Sequence, residues 1–284
     1  AAAVADGVLY AIGGYTDQPV APNDAFRPLG TWTTASPMSG PAYGLSAETV
    51  NGVIYLLGGA PVSVTCSYLG TVWAYDPVTD TWELKAPMPT ACEAFDVGVI
   101  DGILYAVGGA TGCGVYTPRI EAYDPDSDTW VTKTAMPSVR VAHGVGVVDG
   151  RLYVVGGQVT DGGAPVSPVL AYDPVGNFWS SSISPLPTPR LSPAVCALNG
   201  ILYVIGGHNG ATLTTVEAYN PSTDTWATVA PLPQPRTYAA AEVVNGQLYV
   251  VGGTNAGVPV AEVAAYDPGC DEWTTVESIP TPRQ

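Results

Sequence analysis

Residues 244–253 read VNGQLYVVGG, and the chain says nearly the same thing six times. ADGVLYAIGG stands at 5–14 and VNGVIYLLGG at 50–59, and close copies follow from 99, 147 and 198. The spacing is roughly 45–50 residues, a period that marks a repeat architecture. Each copy is an apolar run, an Asn-Gly or Asp-Gly, and a second apolar run ending in Gly-Gly. Asn-Gly and Asp-Gly supply the two positive-φ residues of a type I′ turn, so each copy opens with a tight hairpin, strands A and B. The six turns are Asp6-Gly7, Asn51-Gly52, Asp101-Gly102, Asp149-Gly150, Asn199-Gly200 and Asn245-Gly246.

A variable loop follows, then strand C running into Tyr-Asp-Pro, as in VWAYDPVTDTW (72–82). Proline cannot continue a ladder, so the strand stops there. Strand D carries a tryptophan: Trp32, Trp82, Trp130, Trp179, Trp226 or Trp273. Four antiparallel strands per repeat with no helical periodicity describe a propeller blade. The reading is all-β: a six-bladed β-propeller in one domain, with blades at about 1–37, 38–88, 89–137, 138–186, 187–233 and 234–284. The Gly-Gly doublet followed by Tyr and Trp at this spacing resembles the Kelch repeat, over essentially the whole chain. Copy 1 departs most, with DAFRPLGTW in place of EAYNPSTDTW. In repeat register Arg283 matches Arg236 and Ala1 matches Ala240. Each blade should therefore keep its own four strands, with blade 1 closing the ring on blade 6.

No apolar run approaches the ~18 residues of a membrane span. The first residue is not Met, and the expectation is a segment of a longer chain. A net charge of −16 argues against nucleic acid and anionic membranes, which need basic patches. The expected protein is a monomer, extracellular or at a cell surface, in a bacterial setting. Five cysteines leave an odd thiol. Cys66 and Cys113 lie in the B–C loops of blades 2 and 3 and are expected to pair, with Cys92 as the competing partner. Cys196 reads as a small buried residue.

Strand direction puts the A–B and C–D turns on one face, the bottom, and the B–C loops and D–A connections on the other, the top. The bottom turns hold many of the acids, read as side chains capping their own backbone. DPDSDTW (124–130) mimics the start of a calcium loop but lacks the later Gly and Glu, so it reads as a turn. Trp73, in a mixed repeat column, reads as local packing or an interface mark. The top loops vary freely, and variable loops on a rigid scaffold are where binding usually sits. Arg140, Arg190, Arg236 and Arg283 share one position in the D–A connections. They can grip an anionic ligand or clamp neighbouring blades.

The resemblance also bears on function. Galactose oxidase, a similar propeller, holds copper with two His and two Tyr; this chain has two unpaired histidines, His143 and His208. The iron motif of plant specifier proteins is absent: Glu93 and Asp96 have the wrong spacing. No cofactor is expected. The sialic acid mutarotases are six-bladed Kelch proteins needing little beyond acid and base groups. Here Glu48 and Glu242 share an inner-strand column and Asp96 lies two residues up. The favoured reading is a non-catalytic binding module for a protein or peptide, or for carbohydrate, with a sugar-directed enzyme as the alternative. In the Kelch adaptor that senses oxidative stress, an acidic peptide binds residues after Gly-Gly and at the start of strand A. Carried over, those positions imply a top pocket of Tyr15, Tyr43, Arg140, His143, Gln158, Arg190, His208, Asn209, Arg236, Tyr238 and Thr254. That set is biased towards blades 4–6 and 1 and favours an acidic group.

Overall fold

The computed structural model describes residues 1–284 except Leu29, Pro41 and 62–66. It contains six four-stranded antiparallel sheets in chain order. In blade 2, for example, A is Ser46–Val50, B is Val53–Leu57, C is Val72–Asp76 and D is Thr81–Lys85. Every Asn-Gly or Asp-Gly turn has both residues at positive φ, as at Asn51 (51°) and Gly52 (80°). Copy 1 forms a full blade of Ala2–Ala5, Val8–Ile12, Asn23–Phe26 and Trp32–Ala35, so all four of its strands come from the start of the chain.

The core lies between blades. Tyr75 of blade 2 packs with Ile12 of blade 1, and Tyr123 of blade 3 packs with Leu57 of blade 2. Short two-stranded ribbons decorate the top loops, such as Thr254–Asn255 with Val258–Pro259. Trp73 is half-buried among apolar residues of blades 1 and 2, a packing role.

The bottom rim is stitched. Each strand-D indole donates to a carbonyl of the preceding blade: Trp82 to Ser36, Trp130 to Ala86, Trp179 to Thr134, Trp226 to Ser184 and Trp273 to Ala230. Trp32 donates to the Glu277 carbonyl at 2.9 Å and so closes blade 1 on blade 6. The turn acids divide in two. The first of each turn caps its own backbone, as Asp76 does for Val78. The second reaches across: Asp80, Asp128, Asp224 and Asp271 each accept from their own strand-C tyrosine and from an N–H of the preceding blade. Self-capping therefore accounts for Asp76, Asp124, Asp173 and Asp267 and not for the four acids that reach across. Blade 1 has Phe26 in place of that tyrosine and keeps only the indole bond.

Candidate functional site

The four strand-start arginines are internal. Arg140, Arg190 and Arg236 are 2 %, 0 % and 1 % exposed. The short D–A link drops each side chain onto strands B and C of its own blade. Arg190 donates to the carbonyls of Thr188, Gly206 and Thr215 and pairs with Glu217 at 2.5 Å. Arg140 donates to the carbonyls of Gly156 and Pro168, and Arg236 to the Glu262 carbonyl and carboxylate. Arg283 does the same for blade 1, binding the Ala11 carbonyl and Asp24, each at 2.8 Å. These groups are clamps, and the expected arginine grip on an anion at the top is overturned. Blade 3 has Cys92 at this position, and its Glu121 is held instead by Thr90.

The top mouth opens into the central channel as a cavity of about 700 Å³. Of the eleven expected site residues, Tyr15, Tyr43, His143 and Tyr238 line it. Gln158 instead hydrogen-bonds Tyr116. His208 bridges Leu191 and Thr212 through its backbone, Asn209 is an exposed loop residue, and Thr254 is buried in a bridge to Thr237. His143 is 5 % exposed and lies over Gly108 of blade 3, the place Phe95 takes over Gly58 one blade earlier. Burial, then the charge of Arg140, push its pKa down to about 3, so it is a neutral imidazole.

The rim of the mouth is a ring of left-handed residues at one repeat position: Gly44, Ala94, Ala142, Ser192 and Tyr238. Part of this ring is tied by backbone bonds running from blade to blade. Ala142 N–H donates to Ala94, Ser192 N–H to Ala142 and Tyr238 N–H to Ser192. Four of the five are non-glycine, a conformation that costs about 1–2 kcal/mol each and persists only where neighbours enforce it. Tyr238 stands up from this ring, 58 % exposed. Across the mouth Tyr15 and Tyr43 meet edge-on at 5.4 Å, and burial raises the pKa of Glu93 beside them. The aromatic and acidic set thus comes from blades 1–3 and 6: of the expected blades 4–6 and 1, blades 6 and 1 contribute to it and blades 4 and 5 do not.

Below the rim the channel is acidic. Asp96 at the start of strand A (Asp96–Ile100) ties three blades. Its carboxylate accepts from Ser46 Oγ of blade 2 (2.9 Å), from its neighbour Val97 (2.9 Å) and from Val145 N–H of blade 4 (2.7 Å). Burial raises its pKa to about 6 against the pull of those donors. Glu48 is pushed up to about 8, by burial first and by the Asp96 charge second. Glu242 is raised by burial, then by Glu48 and Asp96. Cys196 lies in the same wall, its thiol raised by burial and by Glu242. Among the described residues the cavity lining includes one Arg and no Lys; that residue, Arg283, is 5 % exposed and paired with Asp24. The acids sit where the wall is thin: blade 1 offers only alanines beside Glu48 and Glu242. In blade 4 the equivalent residues are Gly144 and Gly146, whose Cβ atoms would overlap Val195 and Leu202 of blade 5.

Among the described residues no group of three or more His, Cys, Asp or Glu is arranged to hold a metal ion. Cys92, Cys196 and Cys270 are free thiols, which removes Cys92 as a disulfide partner. The Cys66–Cys113 pairing falls on Cys66, outside the described residues. Tyr15, Tyr43 and Tyr238 were named from repeat positions, and Glu48, Glu242 and Asp96 from their places on the inner strands; that Cys196 shares their cavity was not foreseen. Its signal was a single column, three residues before each A–B turn, reading Ala3, Glu48, Gly98, Gly146, Cys196, Glu242.

Comparison with known proteins supports the repeat reading. The solved structure of YjhT superposes with a TM-score of 0.83, covering 97 % of this chain and 96 % of that one at 17 % identity, which is a likeness of fold. Kelch-like protein 4 of Homo sapiens is 48 % identical over 59 residues, 20 % of this chain and 8 % of that protein. The F-box protein AFR of Arabidopsis thaliana is 36 % identical over 74 residues, 25 % of this chain and 20 % of that protein. These relatives are much longer than the segments they share with this chain. A family model described as the KLHDC2/KLHL20/DRC7 Kelch-repeats domain matches residues 44–232, and a Kelch motif matches 235–280. The chain belongs to the Kelch-repeat family.

Proposed function

We propose that this propeller is a binding module that takes its ligand at the top mouth of the channel. One observation carries the reading: the cavity of about 700 Å³ is lined by side chains that break the repeat, Tyr15, Tyr43, Glu48, Glu93, Tyr238 and Glu242. Residues that depart from a repeat are not needed by the repeat. Concave, partly apolar pockets with a few convergent polar groups are the usual form of a ligand site. Protein or peptide partners are consistent with the Kelch-like and F-box relatives, and aromatic rings beside carboxylates also suit carbohydrate. The acidic-peptide expectation loses its support, since the arginines are clamps and the mouth carries carboxylates.

The test is a peptide and glycan array probed with labelled protein, in three forms. A hit should survive Val175→Ser, on an exposed bottom turn, and vanish in Tyr43→Ala with Tyr238→Ala. Hits insensitive to the tyrosine pair would end the reading.

A second reading, a sugar-directed enzyme, is favoured by one feature. Glu48 at about 8 is protonated at neutral pH and stands beside the second carboxyl group of Glu242. A carboxyl group kept near the working pH is suited to general acid and base work. Following the anomers of sialic acid by NMR decides it. A rate equal to buffer, or one unchanged in Glu48→Gln, removes the enzyme reading.

A further inference from the structure

The channel below the rim presents three tiers of acid; among the described residues Arg283 is paired with Asp24, and burial lowers the pKa of the Ala1 amine, bonded to the Ile12 carbonyl, to about 5. Glu93 lies at the mouth, Asp96 below it, and Glu48 with Glu242 deepest, all lining one cavity. Asp96 has its oxygens engaged by three donors, whereas Glu242 has no side-chain hydrogen bond among the described residues. His143 lines the same cavity, its ring packed over Gly108 with both nitrogens buried. An ionised carboxylate only accepts hydrogen bonds and an ammonium only donates them, so the two are complementary. Tyrosine faces at the mouth attract cations as well.

Depth selects the shape of the ligand. Tyr238 stands at the rim in the left-handed conformation, two residues before strand A of blade 6 (Ala240–Val244), and Glu242 is the middle residue of that strand. Carboxyl groups thus stand at the mouth (Glu93) and below it (Glu48, Glu242), which suits a slender chain with ammonium groups along its length. Its methylene segments would pass the small apolar wall of Ala2, Ala194 and Ala240.

We propose that the channel binds a linear polyamine, with its inner ammonium between Glu48 and Glu242 and its outer ammonium among Glu93 and the rim tyrosines. The proposal rests on the top mouth being the binding site and specifies the ligand class for it. Binding ionises a glutamic acid that the empty channel keeps protonated. Protons are therefore released, and affinity rises with pH through about 8, the range in which Glu48 titrates. The other titratable or charged groups lining the cavity are Asp96, Glu93, Cys196, His143, Tyr15, Tyr43, Tyr238, the Ala1 amine, the Gln284 carboxylate and Arg283, the last paired with Asp24.

The experiment is calorimetric titration of the whole chain with spermidine, in two buffers of different ionisation enthalpy. Two double variants each replace two carboxyl groups by amides. Glu48→Gln with Glu242→Gln empties the channel, and Asp126→Asn with Glu272→Gln acts on exposed bottom turns. The expected result is one saturable site, buffer-dependent heat from proton release, and an affinity lowered about tenfold or more only by the channel pair. 1,8-Octanediol, of similar length and uncharged, should not bind. Equal weakening by both pairs would mean that spermidine senses only the net charge, and the proposal falls. It falls too if no saturation is reached by about 10 mM, a level beyond any specific affinity. If spermidine fails while a peptide or glycan hit remains sensitive to the tyrosine pair, the polyamine is wrong and the top-mouth site stands.

Discussion

The bottom rim and the top mouth are built from the same six repeats and follow opposite rules. At the rim, one column does one job in every blade: the indole bonds the preceding blade six times, and the second turn acid does so in four. Blade 4 substitutes Asn177 for the acid and keeps both bonds, to Tyr172 and to Thr134. At the mouth, a column does one job in one blade. Asp96 ties blades 2, 3 and 4, while the same position in blades 4, 5 and 6 is Gly144, Ala194 and Ala240. A residue that repeats stabilises the ring, and a residue that appears once is free to serve a ligand.

The arginine clamps test this division most severely, because they sit at the mouth yet repeat. Arg190 and Glu217 are 0 % and 2 % exposed, and removing one partner leaves a buried charge alone. Arg190→Met should therefore cost about 3–5 kcal/mol in denaturant unfolding. Arg190→Met with Glu217→Met should recover much of the loss, since a buried pair is often replaceable by apolar residues. Unchanged stability with lost ligand binding would return the arginines to the site and break the comparison.

The rim stitch comes next. Asp128 accepts from Tyr123 Oη at 2.6 Å and from Ala86 N–H at 2.8 Å. Asp128→Ala removes both bonds and should lower the midpoint of denaturant unfolding slightly, since water can reach the freed Ala86 N–H. It should leave array or polyamine binding untouched. Blade 1 has already lost this stitch, with Phe26 stacked on Trp32 at 5.1 Å instead. Hydrogen exchange should accordingly find the blade 1 to blade 6 junction opening before any other. Uniform protection around the ring would show that Arg283 and Trp32 suffice alone.

The fold was legible because its determinants repeat. Asn-Gly turns, Gly-Gly doublets and the Tyr and Trp columns each report the same geometry six times, so even the irregular copy 1 could be placed as a blade. The site was legible only in part. Tyr15, Tyr43 and Tyr238 could be named from repeat position, while the arginines carried two readings, an anion grip and a clamp on a neighbouring blade. Sequence position says that a side chain starts at the top; it does not decide between them, nor say that the carbonyls clamped, such as Gly206, belong to the arginine's own blade. The acids were visible in one column. Their joint effect depended on blade 1 being alanine there, which is a property of the closed ring.

The acids give the comparison a pH signature. Glu48 at about 8, Asp96 at about 6 and Glu242 raised all bind protons more tightly in the folded chain than in the unfolded one. Their contribution is fully present below the unfolded carboxyl range and is lost as pH rises through the folded values. Asp80, Asp128, Asp224 and Asp271 at the rim are lowered by hydrogen bonds, so their contribution is lost only as pH falls below the ordinary range. Thermal stability should peak near about pH 5 and decline towards pH 9. Glu48→Gln should raise Tm at pH 8 by about 2–4 °C and leave it unchanged at pH 5. A profile still rising between pH 6 and 8 would place the carboxylates in an environment far more polar than the channel wall.

The smallest effect on stability separates the two regions most cleanly. Tyr238 holds φ at +56° and is 58 % exposed, so it bears backbone strain and contributes little burial in return. Its N–H donates to Ser192, a bond any residue can make. A left-handed L-residue costs about 1–2 kcal/mol that glycine does not, while glycine loses about 0.5–1 kcal/mol in chain entropy. Tyr238→Gly should therefore leave stability unchanged or raise it by up to about 1 kcal/mol. The same change removes the aromatic face that stands at the mouth, and binding should fall. Structural roles predict loss of both together. Stability held with binding lost is the signature of a residue kept for a ligand. If Tyr238→Gly destabilises the ring instead, the tyrosine belongs with the repeating scaffold, and the mouth loses its clearest recognition residue.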